Sequence, residues 1–203
     1  MAVMGIPFHT QTGTIDLSEL EPRDFRPFAI ADTLAKINRF NGRTCGPWSV
    51  ASHSVLVSQL CPPAQKANGL LHDAHEFIIG DLTSPAVAFL RRDLTPLDSL
   101  AVDYAISQAK GRLDVLIGEA WGVDGPFMTP EVRKADQAAL QAEMFFHFGE
   151  KPECIDAESA ELCDRAIAMM RETEAQPAWW SARDAWLAQA EALAARGQFR
   201  LPT

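Results

Sequence analysis

The chain has 203 residues, of which 47% are apolar, and this fits one compact domain with a sizeable core. Acidic residues outnumber basic ones 27 to 18, for a formal net charge of −9. Such a balance argues against polymeric nucleic acid or an anionic membrane as a partner, since both call for a basic face.

Residues 1–28 lack periodicity and carry Gly5, Pro7, Gly13, Pro22 and Pro27, so they read as an arm in which TGTIDL is a short hairpin strand or an extended segment. A helix is predicted over 29–40, broken by Gly42, Gly46 and Pro47. Ser49 is placed to cap a second helix over 50–60, which Pro62 and Pro63 end. A third runs from about 64 to 79 and stops at Gly80. SPAVAFLRR gives a short fourth helix and the stretch from Thr95 to Trp121 a long fifth. After a loop at Gly122, Gly125 and Pro126, Thr129-Pro130-Glu131 opens a sixth, with threonine as N-cap and proline in the first position. Two further helices, about 156–174 and 177–196, complete an all-α chain. It divides into an arm (1–28), a core (29–150) and C-terminal helices packed on that core (151–203), a single domain overall. In the last part, Trp179, Trp180 and Trp186 are expected to cap the core, with a subunit interface as the other use for such aromatics.

Cys45, Cys61, Cys154 and Cys163 form no C-x-x-C pair, and reduced thiols in a cytoplasmic protein are expected. The stretch MAVMGIPFHTQTG has neither a basic n-region nor a long apolar segment, so no signal peptide is expected. No apolar run is long enough to span a bilayer.

Against this apolar background, LLHDAHEFIIGDLTSP (70–85) sets two histidines and three carboxylates. At about 100° per residue, His72, Asp73 and Glu76 fall opposite the apolar side formed by Ala67, Leu70, Leu71, Ala74, Phe77 and Ile78, with His75 between. Alone, that sector reads equally as a solvated face. On the second helix His53 lies in the stripe of Val50, Val57 and Leu60, where a core histidine with satisfied hydrogen bonds is the ordinary reading. On the sixth, Asp136 and Glu143 sit in the stripe of Val132, Ala135, Ala139 and Phe146. A buried aspartate is rare unless paired or bound to a metal. One site holding His53, His72, Asp73 and Asp136 accounts for all four together. Two imidazoles and two carboxylates make a mixed N/O set suited to one divalent transition metal, Co, Mn, Zn, Fe or Ni. Glu76 can orient water or a ligating histidine, and Asp81 can reach the same cleft from just past the helix end. An anionic substrate then needs positive charge. Arg39 and Arg43 stand before the His53 helix, with Phe40 beside them to pack on a sugar or base.

The order H…HD…D on helices, carried by INRFNGRT, SVASHSVLVS, LLHDAHEFIIGDLTSP and VRKADQAALQAE over residues 37–143, resembles the HD-domain metal-dependent phosphohydrolases. Within that superfamily it is similar to the bacterial 5'-deoxynucleotidase type. It also resembles a set of bacterial and phage proteins, one branch of which hydrolyses dATP. The resemblance implies that His53, His72, Asp73 and Asp136 ligate the metal and that Glu76 and Asp81 are the catalytic acids. It makes Arg39 the phosphate-binding arginine, and assigns His75 no ligand role. The deoxynucleotidases carry tryptophan where this chain has Phe40, so deoxyribose selectivity is not implied. The expected function is removal of phosphate from deoxynucleoside 5'-monophosphates. The alternatives are triphosphohydrolysis of dATP or a similar nucleotide, and a non-catalytic nucleotide-binding module. The expected partners are a small nucleotide and further copies of the same chain.

Overall fold

A computed structural model describes residues 5–154, 156–173 and 178–202. Residues 1–4 of the predicted arm and positions 174 and 177 of the predicted last helices lie outside them. The fold is all-α. Strands β1 (Pro7–Thr10) and β2 (Gly13–Asp16) pair antiparallel as the hairpin, and helices follow. These are α1 (Pro27–Leu34), α2 (Val50–Leu60), α3 (Lys66–Leu71), α4 (Glu76–Ile79), α5 (Ser84–Arg91), α6 (Pro96–Trp121), α7 (Pro130–Phe148), α8 (Ala157–Thr173) and α9 (Trp179–Ala195). No helix among the described residues is long and apolar enough to cross a membrane.

Local chemistry starts the helices, at Ser49 and Thr129 as the sequence predicts and at Thr95 as well. The hydroxyls of Ser49, Thr95 and Thr129 accept the amides of Ser52, Asp98 and Val132, filling donors that a helix N-terminus leaves open. Helix α2 is the central element. Val50 and Ala51 join a core with α1, α3, α9 and the C-terminal half of α6. Leu56, Val57 and Leu60 join a second core with α7 and α8. His53 therefore points from the middle of the molecule. Helix α3 approaches α2 closely at Gly69, where a Cβ would stand 3.0 Å from the Ser58 Cα and 2.9 Å from the Cys61 Sγ. Only glycine permits that approach, and it carries His72 toward His53.

Three predictions need correction. The helix predicted over 64–79 is interrupted at His72–His75. The His72 Nδ1 lies 2.8 Å from the Gly69 carbonyl, the acceptor that the amide of Asp73 would use in a continuous helix. Tighter bonds take over, from the amides of Ala74, Glu76 and Phe77 to the carbonyls of Leu71, Asp73 and Ala74. The helix predicted over 29–40 ends at Leu34. Beyond it the Arg39 amide bonds the Trp48 carbonyl and the Val50 amide the Ile37 carbonyl, so this segment pairs with the approach to α2 instead. Phe40 and Asn41 then take left-handed backbone angles, φ 54° and 52°, which a phenylalanine adopts only under constraint. Finally, Trp186 is buried against Trp121, but Trp179 and Trp180 lie at the surface, with the Lys36 ammonium 4.3 Å from the Trp179 ring centroid.

Candidate metal centre

Donor atoms of His53 on α2 and of His72 and Asp73 in the interrupted turn after α3 come together, and Asp136 of α7 stands beside the two histidines. The His53 Nε2 lies 3.1 Å from an Asp136 carboxylate oxygen and 3.7 Å from one of Asp73. The His72 Nε2 lies 3.1 Å from the same Asp73 oxygen and 3.9 Å from the same Asp136 oxygen. Donors bound tetrahedrally at about 2.1 Å to one ion stand roughly 3.4 Å apart, in the middle of these separations. Both Nε2 atoms are buried without a hydrogen-bond partner, a costly state that an ion relieves. His53, His72 and Asp73 thus form a group that can hold a metal ion. The interruption of the helix matters here, because His72 and Asp73 are neighbours in sequence and a regular helix would splay them by about 100°. The Asp136 side chain, expected to be buried, is 31% exposed.

Behind the donors is a second tier. The His53 Nδ1 lies 2.7 Å from one oxygen of the fully buried Glu143, which also accepts the Trp48 indole N–H at 2.8 Å. The other Glu143 oxygen accepts Arg39 Nε at 2.9 Å and stands 2.8 Å from its Nη2. A carboxylate behind a ligating imidazole fixes its tautomer and turns Nε2 outward. Burial raises the pKa of Glu143, but the charges of Arg39 and His53 outweigh it and hold the carboxyl down at about 2. Burial and Arg39 push the His53 imidazole down, Glu143 and Asp136 push it up further, and the balance lies at about 9. Asp73 stays well below the usual carboxylate range although burial opposes ionisation, because His72 and His53 face it. A cation bound here would take the place of the imidazole protons that Asp73 and Asp136 now favour.

Glu76 is buried and one of its oxygens has no partner. Burial, then the charges of Asp73 and Asp81, push its pKa up to about 9. Asp81 is likewise raised, first by burial. Gly80, at φ 72°, makes the turn that ends α4 and leads into Asp81. The charges of Lys110 on α6 and of Arg39 oppose the rise at both carboxyls. Arg39 is brought to the site but spends two of its nitrogens on Glu143. Phe40 packs edge-on against Phe148 at 5.2 Å, beside the Arg39 guanidinium. Arg43 is not drawn in: it is exposed and donates to the Phe40 carbonyl at 3.3 Å.

Two features went unassigned in the sequence. Glu143 was visible as a charge on the inward stripe of α7, seven residues after Asp136, and a fully buried carboxylate must find partners. His75 lies in the same turn as His72 and Asp73. Its Nδ1 lies 3.0 Å from Asp114 of α6, its Nε2 is buried without a partner, and it forms a second potential ligand group with Asp73 and Glu76.

The chain is 31% identical over 150 residues to an uncharacterized protein of Rhodobacter capsulatus, a match that covers 67% of this chain and 70% of that one. It is 35% identical over 114 residues to the uncharacterized protein YfdR of Escherichia coli, which covers 56% of each. No protein-family model matches the chain.

Proposed function

The chain belongs to the family of the uncharacterized Rhodobacter capsulatus protein, and from the geometry of its buried cluster we propose that it is a divalent-metal-dependent phosphohydrolase acting on deoxynucleotides. The convergence of the His53, His72, Asp73 and Asp136 donors carries this reading. Their mixed N/O chemistry fits one Co, Mn, Zn, Fe or Ni ion. When bound, such an ion supplies Lewis acidity toward a phosphoryl oxygen and toward water. The protein supplies everything else. Glu143 orients the His53 ring and anchors Arg39, whose remaining nitrogen faces no acceptor among the described residues and is available to a phosphate oxygen. A cation at the site would offset the charges of Asp73 and Asp81 that keep Glu76 protonated, and the ionised Glu76 then takes a proton from the attacking water through its unpartnered oxygen. As the water oxygen bonds to phosphorus, the bond to the 5' oxygen breaks and Asp81 gives that oxygen its proton. The products are nucleoside and phosphate, and the working form is a homo-oligomer.

A groove of about 500 Å³ between α5 and α6, lined by Leu82, Ser84, Arg91, Asp103, Lys110 and Asp114, begins one residue past Asp81. It favours, as a second reading, a substrate with a longer phosphate chain, released from a deoxynucleoside triphosphate.

Assay of deoxynucleoside mono- and triphosphates with Co²⁺ or Mn²⁺ distinguishes the two by product, orthophosphate or tripolyphosphate, and EDTA is expected to abolish both. Tight nucleotide binding without turnover under any metal would identify a binding module instead. His72→Ala and Asp136→Ala are each expected to lose bound metal and activity together. Full metal content in either variant, measured by elemental analysis, would remove that residue from the ligand set.

A further inference from the structure

Helices α5 and α6 form a hairpin that the rest of the chain barely supports. No residue of α5 is buried, and in α6 burial begins only at Leu113. A bidentate pair, Arg91 Nη1 to both Asp103 oxygens at 2.7 and 2.6 Å, ties the two helices together. Yet the hairpin carries Phe89, Leu90, Leu97, Leu100, Tyr104 and Val115, all between 60% and 76% exposed. At about 100 Å² each they present roughly 600 Å² of apolar surface, near the ~800 Å² that each partner contributes to a stable interface and more than a few scattered surface residues explain. An eight-residue helix with nothing buried falls short of the ~12–15 residues that an isolated helix needs in water. A cover on this face would therefore steady the hairpin.

We propose that this face is an antiparallel, two-fold interface with a second copy of the chain, in which α6 pairs with α6. Positions 97, 101, 104, 108, 111 and 115 lie along one side of α6 in alternating steps of four and three, the spacing of a coiled-coil seam, and no charge interrupts them. All six are exposed. Turned antiparallel about the middle of this run, the seam matches itself. Leu97 meets Val115 of the other copy, Ala101 meets Gly111 where both are small enough for close approach, and Tyr104 meets Gln108 with hydroxyl and amide able to bond. The flanking charges also match, since Asp98 of one copy then faces Arg112 of the other. A two-fold axis makes every such match twice, which suits a self-complementary patch. Phe89 and Leu90 of α5 extend the contact along its edge. This gives a surface to the homo-oligomer proposed above. Its test reads mass and not turnover, so failure of one reading leaves the other standing.

Sedimentation and light scattering of the full chain at micromolar concentration are expected to give twice the chain mass. Leu100→Glu with Tyr104→Arg should give a single chain mass, with helical content by circular dichroism unchanged because both positions are exposed. Asp98→Lys and Arg112→Glu should each weaken association about tenfold, and together they should restore it. A monomeric parent protein, or a dimer that survives the Leu100 and Tyr104 changes, overturns the proposal. Singles that weaken association without rescue in the pair overturn the antiparallel pairing.

Discussion

Glu76→Gln is expected to keep the metal content of the parent protein and to lose hydrolysis by ~10²–10⁴-fold, the contribution typical of a positioned acid or base. The expectation follows from what Glu76 touches. It is buried, one oxygen has no partner, and the charges that weigh most on it are the carboxylates of Asp73 and Asp81. A carboxyl placed for stability would have a cation or several N–H donors around it, as Glu143 does. Glu76 instead sits where its ionised form is opposed, the arrangement seen at sites kept for chemistry. Removing its capacity for charge should therefore leave thermal stability unchanged or slightly raised while turnover falls. Rate and melting temperature measured on the same preparation check both halves. A variant that keeps full activity, or that loses metal along with rate, would show that Glu76 does not handle the proton.

The helices were largely legible because their caps and breakers act locally. Ser49 and Thr129 each cap the helix they were expected to cap, and Gly80 ends α4. The nearness of His53, His72, Asp73 and Asp136 was legible because burying each polar group alone is costly, and one cluster lowers that cost. The interruption at His72–His75 was not. It depends on His72 reaching back to the Gly69 carbonyl, a side-chain choice that a periodicity of 3.6 residues does not encode. The end of α1 was hidden for a related reason. AIADTLAKINRF has the composition of a helix, but pairing of Asn38 with Ser49, on the approach to α2, wins over local propensity. Arg43 was placed at the site because it stands before the His53 helix, but it is exposed and donates to the Phe40 carbonyl.

Glu143→Ala is expected to destabilise the fold by about 3–5 kcal/mol, the range for removing one partner of a buried ion pair. In a domain of this size that lowers the melting temperature by roughly 6–20 °C. The reason is the number of groups that Glu143 serves. Arg39 would keep a buried guanidinium with no counter-charge at Nε and Nη2, the His53 Nδ1 would lose its acceptor, and the Trp48 indole would lose its own. Trp48→Phe is the internal comparison. It removes a single donor while Arg39 and His53 still hold Glu143, so it should cost only about 1 kcal/mol. Denaturant unfolding of the metal-free proteins checks the ratio. Equal costs for the two variants would mean that packing of the Trp48 ring, and not the charge of Glu143, holds this end of α7 to α2. A large cost confined to Glu143→Ala, with metal affinity also reduced, fits one carboxylate that joins the anchoring of Arg39 to the aim of the His53 ring.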